Sequence, residues 1–267
     1  MKTPYLGIRA RRHLKGCQVI LLLIVSLYSS LCLASQDAYN PPVKIVTEFL
    51  PPYQIVNHDG SLEGYSIELM EKILVEAGIE SKITVYPWAR SYKIASTQKN
   101  FIIFTMTRTP KRESSFHWIG RLNEERFLFI NVKQDNELDI KSLDEIRNYS
   151  VIVSTESVGD QLLTNLGFPK IIRANSLEQM INMIQLRRAD LVMASDYTYN
   201  NSIKPLNTEQ PNKIAYVYKG KSVGLYIAAS KTSDPQLISQ LKSAYNTVTS
   251  TSIMEQLQVK WGLSDSE

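Results

Sequence analysis

With 267 residues, 43% of them hydrophobic, the chain is long enough for one large domain or two modest ones around a substantial core. Its formal charge of +4 depends on Lys2, Arg9, Arg11, Arg12 and Lys15; beyond residue 34 there remain 25 basic against 26 acidic residues, so no basic surface argues for nucleic acid or an anionic membrane. Both cysteines, Cys17 and Cys32, also precede residue 35, and His58 and His117 stand far apart, which leaves no disulfide, no thiol nucleophile and no metal-ligand spacing.

The five N-terminal cations are followed by the apolar stretch Val19 to Leu33, with no acidic residue before Asp37 and with small residues around Cys32-Leu33-Ala34. This is the pattern of an export signal, assigned to residues 1–34 with cleavage near Ala34 and a periplasmic address. An apolar run of about fifteen residues is short of the roughly twenty that a membrane span needs.

Pro41-Pro42 breaks the export linker, and Val43 to Thr47 reads as a first strand. The prolines of Glu48-Phe49-Leu50-Pro51-Pro52-Tyr53 cannot continue a ladder, so this is a loop at the strand's C-terminal end. Asn57-His58-Asp59-Gly60 is turn chemistry. Gly64 then opens a helix whose apolar residues, Tyr65, Ile67, Leu69, Met70, Ile73, Leu74 and Ala77, follow a 3.6 period up to the stop at Gly78. Ile83 to Val85 is a second strand, Trp88 to Tyr92 a short helix, and Phe101 to Met106 a third strand. The β-α-β-α-β order implies a mostly parallel sheet with its sites at the C-terminal strand ends.

At one such end stands Thr105-Met106-Thr107-Arg108-Thr109-Pro110-Lys111-Arg112. Thr105 and Thr107, two apart, present both hydroxyls to one side if the strand persists, and Arg112 follows a turn that Pro110 stiffens. The planar guanidinium fork matches a carboxylate with two parallel hydrogen bonds, so the segment suits an anion. The plainer reading, a strand end with surface hydroxyls and a solvated Arg, stands beside it at this point.

After apolar runs at Phe116 to Ile119 and Phe127 to Val132 the pattern restarts. Lys141 to Arg147 reads as a short helix, Val151 to Val153 as a strand, Ser157 to Leu166 as a helix stopped by Gly167, and Ile171-Ile172 as a strand. Ser176-Leu177-Glu178-Gln179 is a capping box for a further helix, and Leu191 to Met193 is a strand ending at Ser195 and Asp196. Val223 to Ala229 returns as a strand. Asp234-Pro235 starts a helix to about Val248, and Ser252-Ile253-Met254-Glu255 is a capping box for the last one. If these helices pack on the first lobe, the chain crosses between lobes near Asn131 and Gly220. Lobe 1 is then 43–130 plus 221–262 and lobe 2 is 131–220, with a cleft between them that gathers strand ends from both.

Taken together, Pro51-Pro52-Tyr53, Gly64-Tyr65 and its helix, Pro87-Trp88-Ala89-Arg90, Thr105 to Arg112 with Phe116, Arg188 to Asp196, and the Gly224 strand with its helices resemble the periplasmic solute-binding proteins of family 3, over about residues 43 to 262. The resemblance implies a two-lobed α/β periplasmic-binding-protein fold, the type II Venus flytrap with two hinge crossings, that closes on a small amino-acid-like solute without cofactor, metal or catalysis. It further implies a monomer whose partner is an ABC transporter permease. By the resemblance, Arg112 grips a ligand carboxylate with help from Thr105 and Thr107, and Asp196 takes the ammonium; Asp196 also suits an N-cap for a helix starting at Tyr197.

Two residues depart from the family pattern: Leu50 where an aromatic is common, and Glu156, in the turn before Ser157, where a small Gly is common. Glu156 is expected to bring negative charge toward the ligand's path, with Ser157 beside it. Trp88 either stacks on the ligand or fills the core, Arg90 is either a second anion contact or a surface charge, and Tyr53 is expected in the cleft wall. Two other functions compete: a periplasmic dehydratase on a similar fold, with Glu156 or Glu48 as its acid, and a sensing module for a membrane receptor.

Overall fold

The computed structural model describes residues 42–133, 138, 140–207, 212–220 and 222–263; the proposed signal peptide lies outside the described residues. The first sheet contains β1 (Lys44–Thr47), β4 (Ile83–Val85), β5 (Phe101–Thr107), β6 (Phe116–Glu125) and β12 (Val223–Ser230), in the order β4-β1-β5-β12-β6. β4, β1 and β5 run parallel, as the alternation of strands and helices demands, and β12 and β6 are antiparallel additions. A small hairpin, β2 (Ile55–Val56) and β3 (Leu62–Glu63), sits between β1 and the first helix.

Helix α1 (Tyr65–Ala77) buries the stripe read from the sequence, including Ile67, Met70 and Ile73, against Ile45, Ile102 and Phe104 of the sheet. Its N-terminal N–H groups lack a side-chain cap and find backbone carbonyls instead: Tyr65 N donates to Pro52 O at 3.1 Å and Ser66 N to Tyr53 O at 3.0 Å. This approach needs Gly64, whose φ is 122° and whose hypothetical Cβ would lie 2.5 Å from Tyr53 O. The C-terminal helices α5 (Pro235–Thr249) and α6 (Ile253–Lys260) bury Leu237, Leu241 and Leu257 in the same core. Asp234 caps α5, accepting from Gln236 N at 2.8 Å. The expected box at Ser252 does not form: Ser252 makes no side-chain cap, and Thr251 Oγ1 accepts from Ile253 N at 3.3 Å.

On the other face lies α2, which runs over Trp88–Thr97, longer than expected, above Val46, Ile103, Met106 and Ala228. The parity of β5 explains how one strand serves both faces. Phe101 and Ile103 point toward α2, Ile102 and Phe104 away, and then Met106 rather than residue 105 rejoins the α2 side. A bulge opposite Tyr226/Ala228, with Thr105 at φ 57°, makes the switch.

The second sheet holds β7 (Phe127–Asn131), β8 (Val151–Ser154), β9 (Ile171–Ala174), β10 (Leu191–Ser195) and β11 (Ile214–Val217), ordered β11-β7-β10-β8-β9. It is covered by α3 (Val158–Asn165) and α4 (Leu177–Gln185). Half of the capping box of α4 forms, Ser176 Oγ accepting from Gln179 N at 3.2 Å; the return bond is displaced by one residue, Gln179 Oε1 accepting from Asn175 N at 2.6 Å. Two expectations change. The Lys141 to Arg147 helix is a 3-10 turn at Glu145–Asn148. Because β7 pairs with β10 and β11, the chain leaves the first sheet at Arg126 rather than near Asn131, so residues 127–130, expected in lobe 1, build the second sheet. The chain returns to the first sheet between Val217 and Val223. The molecule is thus a two-lobed α/β fold with two crossings. Among the described residues no helix is long and apolar enough to cross a membrane.

Candidate functional site

Between the two sheets lies a cavity of about 100 Å³. The parallel strands of both lobes end on it, as such sheets require. From the first lobe come Glu48 and Leu50 after β1, Trp88 at the start of α2, Thr105 and Thr107 of β5, Arg112, and Glu125 at the end of β6. From the second come Ser154 and Ser157 around the end of β8, Ser195 and Thr198 after β10, and an apolar wall including Phe127, Met180 and Met193.

Arg112 is the largest side chain buried below 2% exposure, at 1%. Its guanidinium packs beside the Trp88–Tyr92 pair, 4.9 and 5.0 Å from their ring centroids, while the two rings stack on each other at 5.6 Å. Nη1 donates to Thr107 O at 3.0 Å and Nη2 to the Glu156 carbonyl, across the cleft, at 3.1 Å; Nε has no hydrogen-bond partner. Burial pulls this guanidinium down from its ordinary value, opposed by Tyr92, Glu48 and Glu156. Of the two alternatives for Trp88, the structure shows the core one, with the residue also lining the cavity. It is buried in the α2 core, and its Nε1 also donates to the Glu156 carbonyl, at 3.1 Å.

Thr105 and Thr107 both line the cavity, although a bulge rather than a regular strand places them. The left-handed φ of a β-branched residue at Thr105 is unusual, and Gln54 Nε2 hydrogen-bonds its hydroxyl. Ser157 lines the cavity and caps α3, accepting from Asp160 N at 3.1 Å. Leu50 supplies an apolar wall where the family often has an aromatic.

Four expected residues stand elsewhere. Glu156 is exposed, and it meets the cleft through its backbone carbonyl. Its φ of 59° explains why glycine suits this turn, and Asp160 holds the peptide by accepting from Glu156 N at 3.0 Å. Asp160 is in turn paired with Arg173 at 2.8 Å. Tyr53 is buried behind the cavity, edge-on to Tyr65 and Tyr197, with its hydroxyl accepting from Asn123 Nδ2 at 3.1 Å. Arg90 is exposed and lies over Tyr86, 4.0 Å from the ring centroid, because the helix turns it away from the strand ends. Asp196 does not line the cavity. It faces the crossing, where Oδ1 accepts from Tyr197 N at 3.0 Å and Arg126 N at 3.3 Å, and Oδ2 lies 3.4 Å from Arg126 Nε.

The acids that do line the cavity are Glu48 and Glu125. Burial pushes Glu48 up to about 8, helped by Glu125 and opposed by Arg112; burial pushes Glu125 up to about 7, opposed by Ser195 and helped by Asp196. The sequence offered a signal for Glu48, the first residue beyond β1, whereas Glu125 became visible only once the crossing was placed at Arg126.

A cavity closed between two lobes joined by two crossings defines a solute-binding protein of the periplasmic type. The chain belongs to the bacterial extracellular solute-binding proteins, family 3, whose model matches residues 43–264. Its fold is similar to that of the arginine-, lysine-, histidine-binding protein ArtJ from Geobacillus stearothermophilus, at 17% identity, covering 83% of this chain and 95% of that one with a TM-score of 0.72. It is equally similar to a putative L-cystine ABC transporter protein from Listeria monocytogenes, at 18% identity over 84% and 96% of the two chains, TM-score 0.72. A histidine kinase sensor domain with similarity to periplasmic binding proteins aligns at 12% identity over 84% and 97%, TM-score 0.73. Among curated proteins, none matches the chain.

Proposed function

We propose that this chain captures a small amino-acid-like zwitterion in the periplasm and presents it, as a monomer, to the permease of an ABC importer. The observation that carries the reading is Arg112, a buried guanidinium lining the cavity with Nε unpartnered, packed against Trp88 and Tyr92 and hydrogen-bonded to two backbone carbonyls. A fork held this way is ordered before the ligand arrives, which lowers the cost of binding a carboxylate. The Thr105 and Thr107 hydroxyls and the Ser157 hydroxyl supply further donors around the same space. Amino-acid-binding proteins among the structural neighbours support the solute class, and the family supports an extracytoplasmic address. A thermal-shift screen of the protein against amino acids and organic acids tests this. At least one amino acid should raise Tm in wild type and fail to do so in Arg112→Ala. No response to any amino acid, or an equal response in the variant, would overturn the reading.

A second reading rests on Glu48, a cavity carboxyl held protonated near neutral pH, which is the condition of a general acid in a dehydratase. Turnover of a prephenate-like acid that disappears in Glu48→Gln would favour it. The likeness to a sensor domain bears on the partner alone, and a pull-down from membranes with the liganded protein distinguishes a permease from a receptor.

A further inference from the structure

The carboxylate that the family resemblance gives to the solute's ammonium, Asp196, is already engaged. Both of its oxygens face donors of Arg126 and Tyr197, and it lies off the cavity. Glu125, one residue before the crossing, is in the opposite condition. It is only 7% exposed, it lines the cavity, and its Oε2 has no hydrogen-bond partner. A buried carboxyl oxygen without a hydrogen-bond partner is unfavourable, and a cationic donor in the cavity would satisfy it in place of the proton that burial otherwise retains. Glu48 lines the same cavity and is coupled electrostatically to Glu125. The other groups around the pair are Arg112 toward Glu48, and Ser195, Asp196 and the Tyr53 hydroxyl toward Glu125.

We infer that Glu125, together with Glu48, receives the cationic group of the solute, while Asp196 fixes the chain crossing at Arg126. With both carboxylates ionised against one guanidinium, the cavity complements a solute of net positive charge, one with an ammonium or guanidinium in addition to a zwitterionic end. The inference rests on the amino-acid reading for what Arg112 holds. It differs from that reading in naming the acid that sorts solutes by charge. Its energetic basis is general: a site built to satisfy buried polar groups rejects an analogue that leaves them unpaired.

Three probes separate the two readings by calorimetry: L-arginine, its neutral counterpart L-citrulline, and agmatine, which keeps the guanidinium but lacks the carboxylate. L-Arginine should bind at least about tenfold more tightly than L-citrulline. Glu125→Gln should weaken L-arginine by roughly thirtyfold or more and abolish that preference, whereas Asp196→Asn should stay within about threefold of wild type. Agmatine should lose affinity in Glu125→Gln, and in Arg112→Ala it should lose much less affinity than L-arginine does, since it has no carboxylate for Arg112 to hold. Because Gln keeps the size of the Glu125 side chain, the variant should fold, as melting curves would verify, and Glu48→Gln provides a second substitution in the same cavity. Equal binding of L-arginine and L-citrulline, loss of affinity in Asp196→Asn with retention in Glu125→Gln, or no binding of either cationic probe would overturn the inference. An unchanged L-arginine affinity in Arg112→Ala would instead overturn the assignment of the carboxylate, whatever Glu125 does.

Discussion

Arg112 of the first lobe donates to the backbone carbonyl of Glu156 in the second, at 3.1 Å, and Trp88 donates to the same oxygen from beside it. A single acceptor therefore joins the two lobes through two donors. Each such bond contributes about 0.5–1.5 kcal/mol net. Trp88→Phe, which keeps an aromatic but smaller side chain and deletes the N–H, should shift the free protein toward an open form and weaken solute binding by about 3- to 10-fold. Small-angle scattering would show the shift as a larger radius of gyration, and an unchanged radius would contradict it.

Arg108 and Arg112 belong to one sequence segment but do different jobs. Arg108 is paired with Glu113 at the surface and lies over Trp118 and Tyr226, at 5.2 and 5.6 Å, away from the cavity. Truncating one partner of a buried charge pair costs about 2–5 kcal/mol, so Arg112→Ala should reduce affinity at least about 30-fold. Arg108→Ala should change it by less than about twofold. Titration calorimetry on the two variants checks the contrast.

The raised carboxyls make stability depend on pH in a direction opposite to the usual acid effect. Glu48 and Glu125 hold protons in the folded protein up to about 8 and 7, while the unfolded chain releases them near 4.5. The folded state binds more protons over that window, so the free protein should lose stability as pH rises from about 5 to 8, on the order of a few kcal/mol. Melting temperatures should fall across the range, and Glu48→Gln should flatten the slope. A cationic solute needs the ionised forms, so its affinity should rise with pH and its binding should release protons, which calorimetry in buffers of different ionisation enthalpy measures.

Gly64 has a steric reason to be glycine. Its φ of 122° and the 2.5 Å approach to Tyr53 O leave no room for a methyl group against a backbone atom that cannot swing away. Gly64→Ala should destabilise by about 2–4 kcal/mol, detectable as a lower denaturant midpoint with an unchanged slope.

At Glu156 the opposite substitution is favourable. The residue occupies the left-handed region at φ 59° with its side chain in solvent, so Glu156→Gly should stabilise by up to about 1 kcal/mol in chemical denaturation. Solute affinity should be kept, since the carbonyl remains in place.

The order of strands and helices was readable because the helices with long apolar stripes, Tyr65–Ala77 above all, and the strands ending in Pro or Thr carry their own punctuation. Strand Ile214–Val217 was not: it is half-exposed at a sheet edge, and four residues without a clear alternation give no periodic signal. In the site, Arg112, Thr105, Thr107, Trp88 and Ser157 could be placed on the cavity because they lie at or just beyond the C-terminal ends of strands. The position of Asp196 could not, since one turn of helix decides whether its carboxylate meets the cleft or Arg126. The same holds for β7, whose apolar run fits either sheet until pairing with β10 selects one.

Glu48, Arg112 and Glu125 all project from the first lobe, and the second contributes hydroxyls, methionines and one peptide oxygen to the same space. The charged side chains of the cavity are thereby confined to one half of the molecule. Under the proposed function, charge changes in the first half would act mainly on which solutes bind, and packing changes in the second mainly on how long they stay.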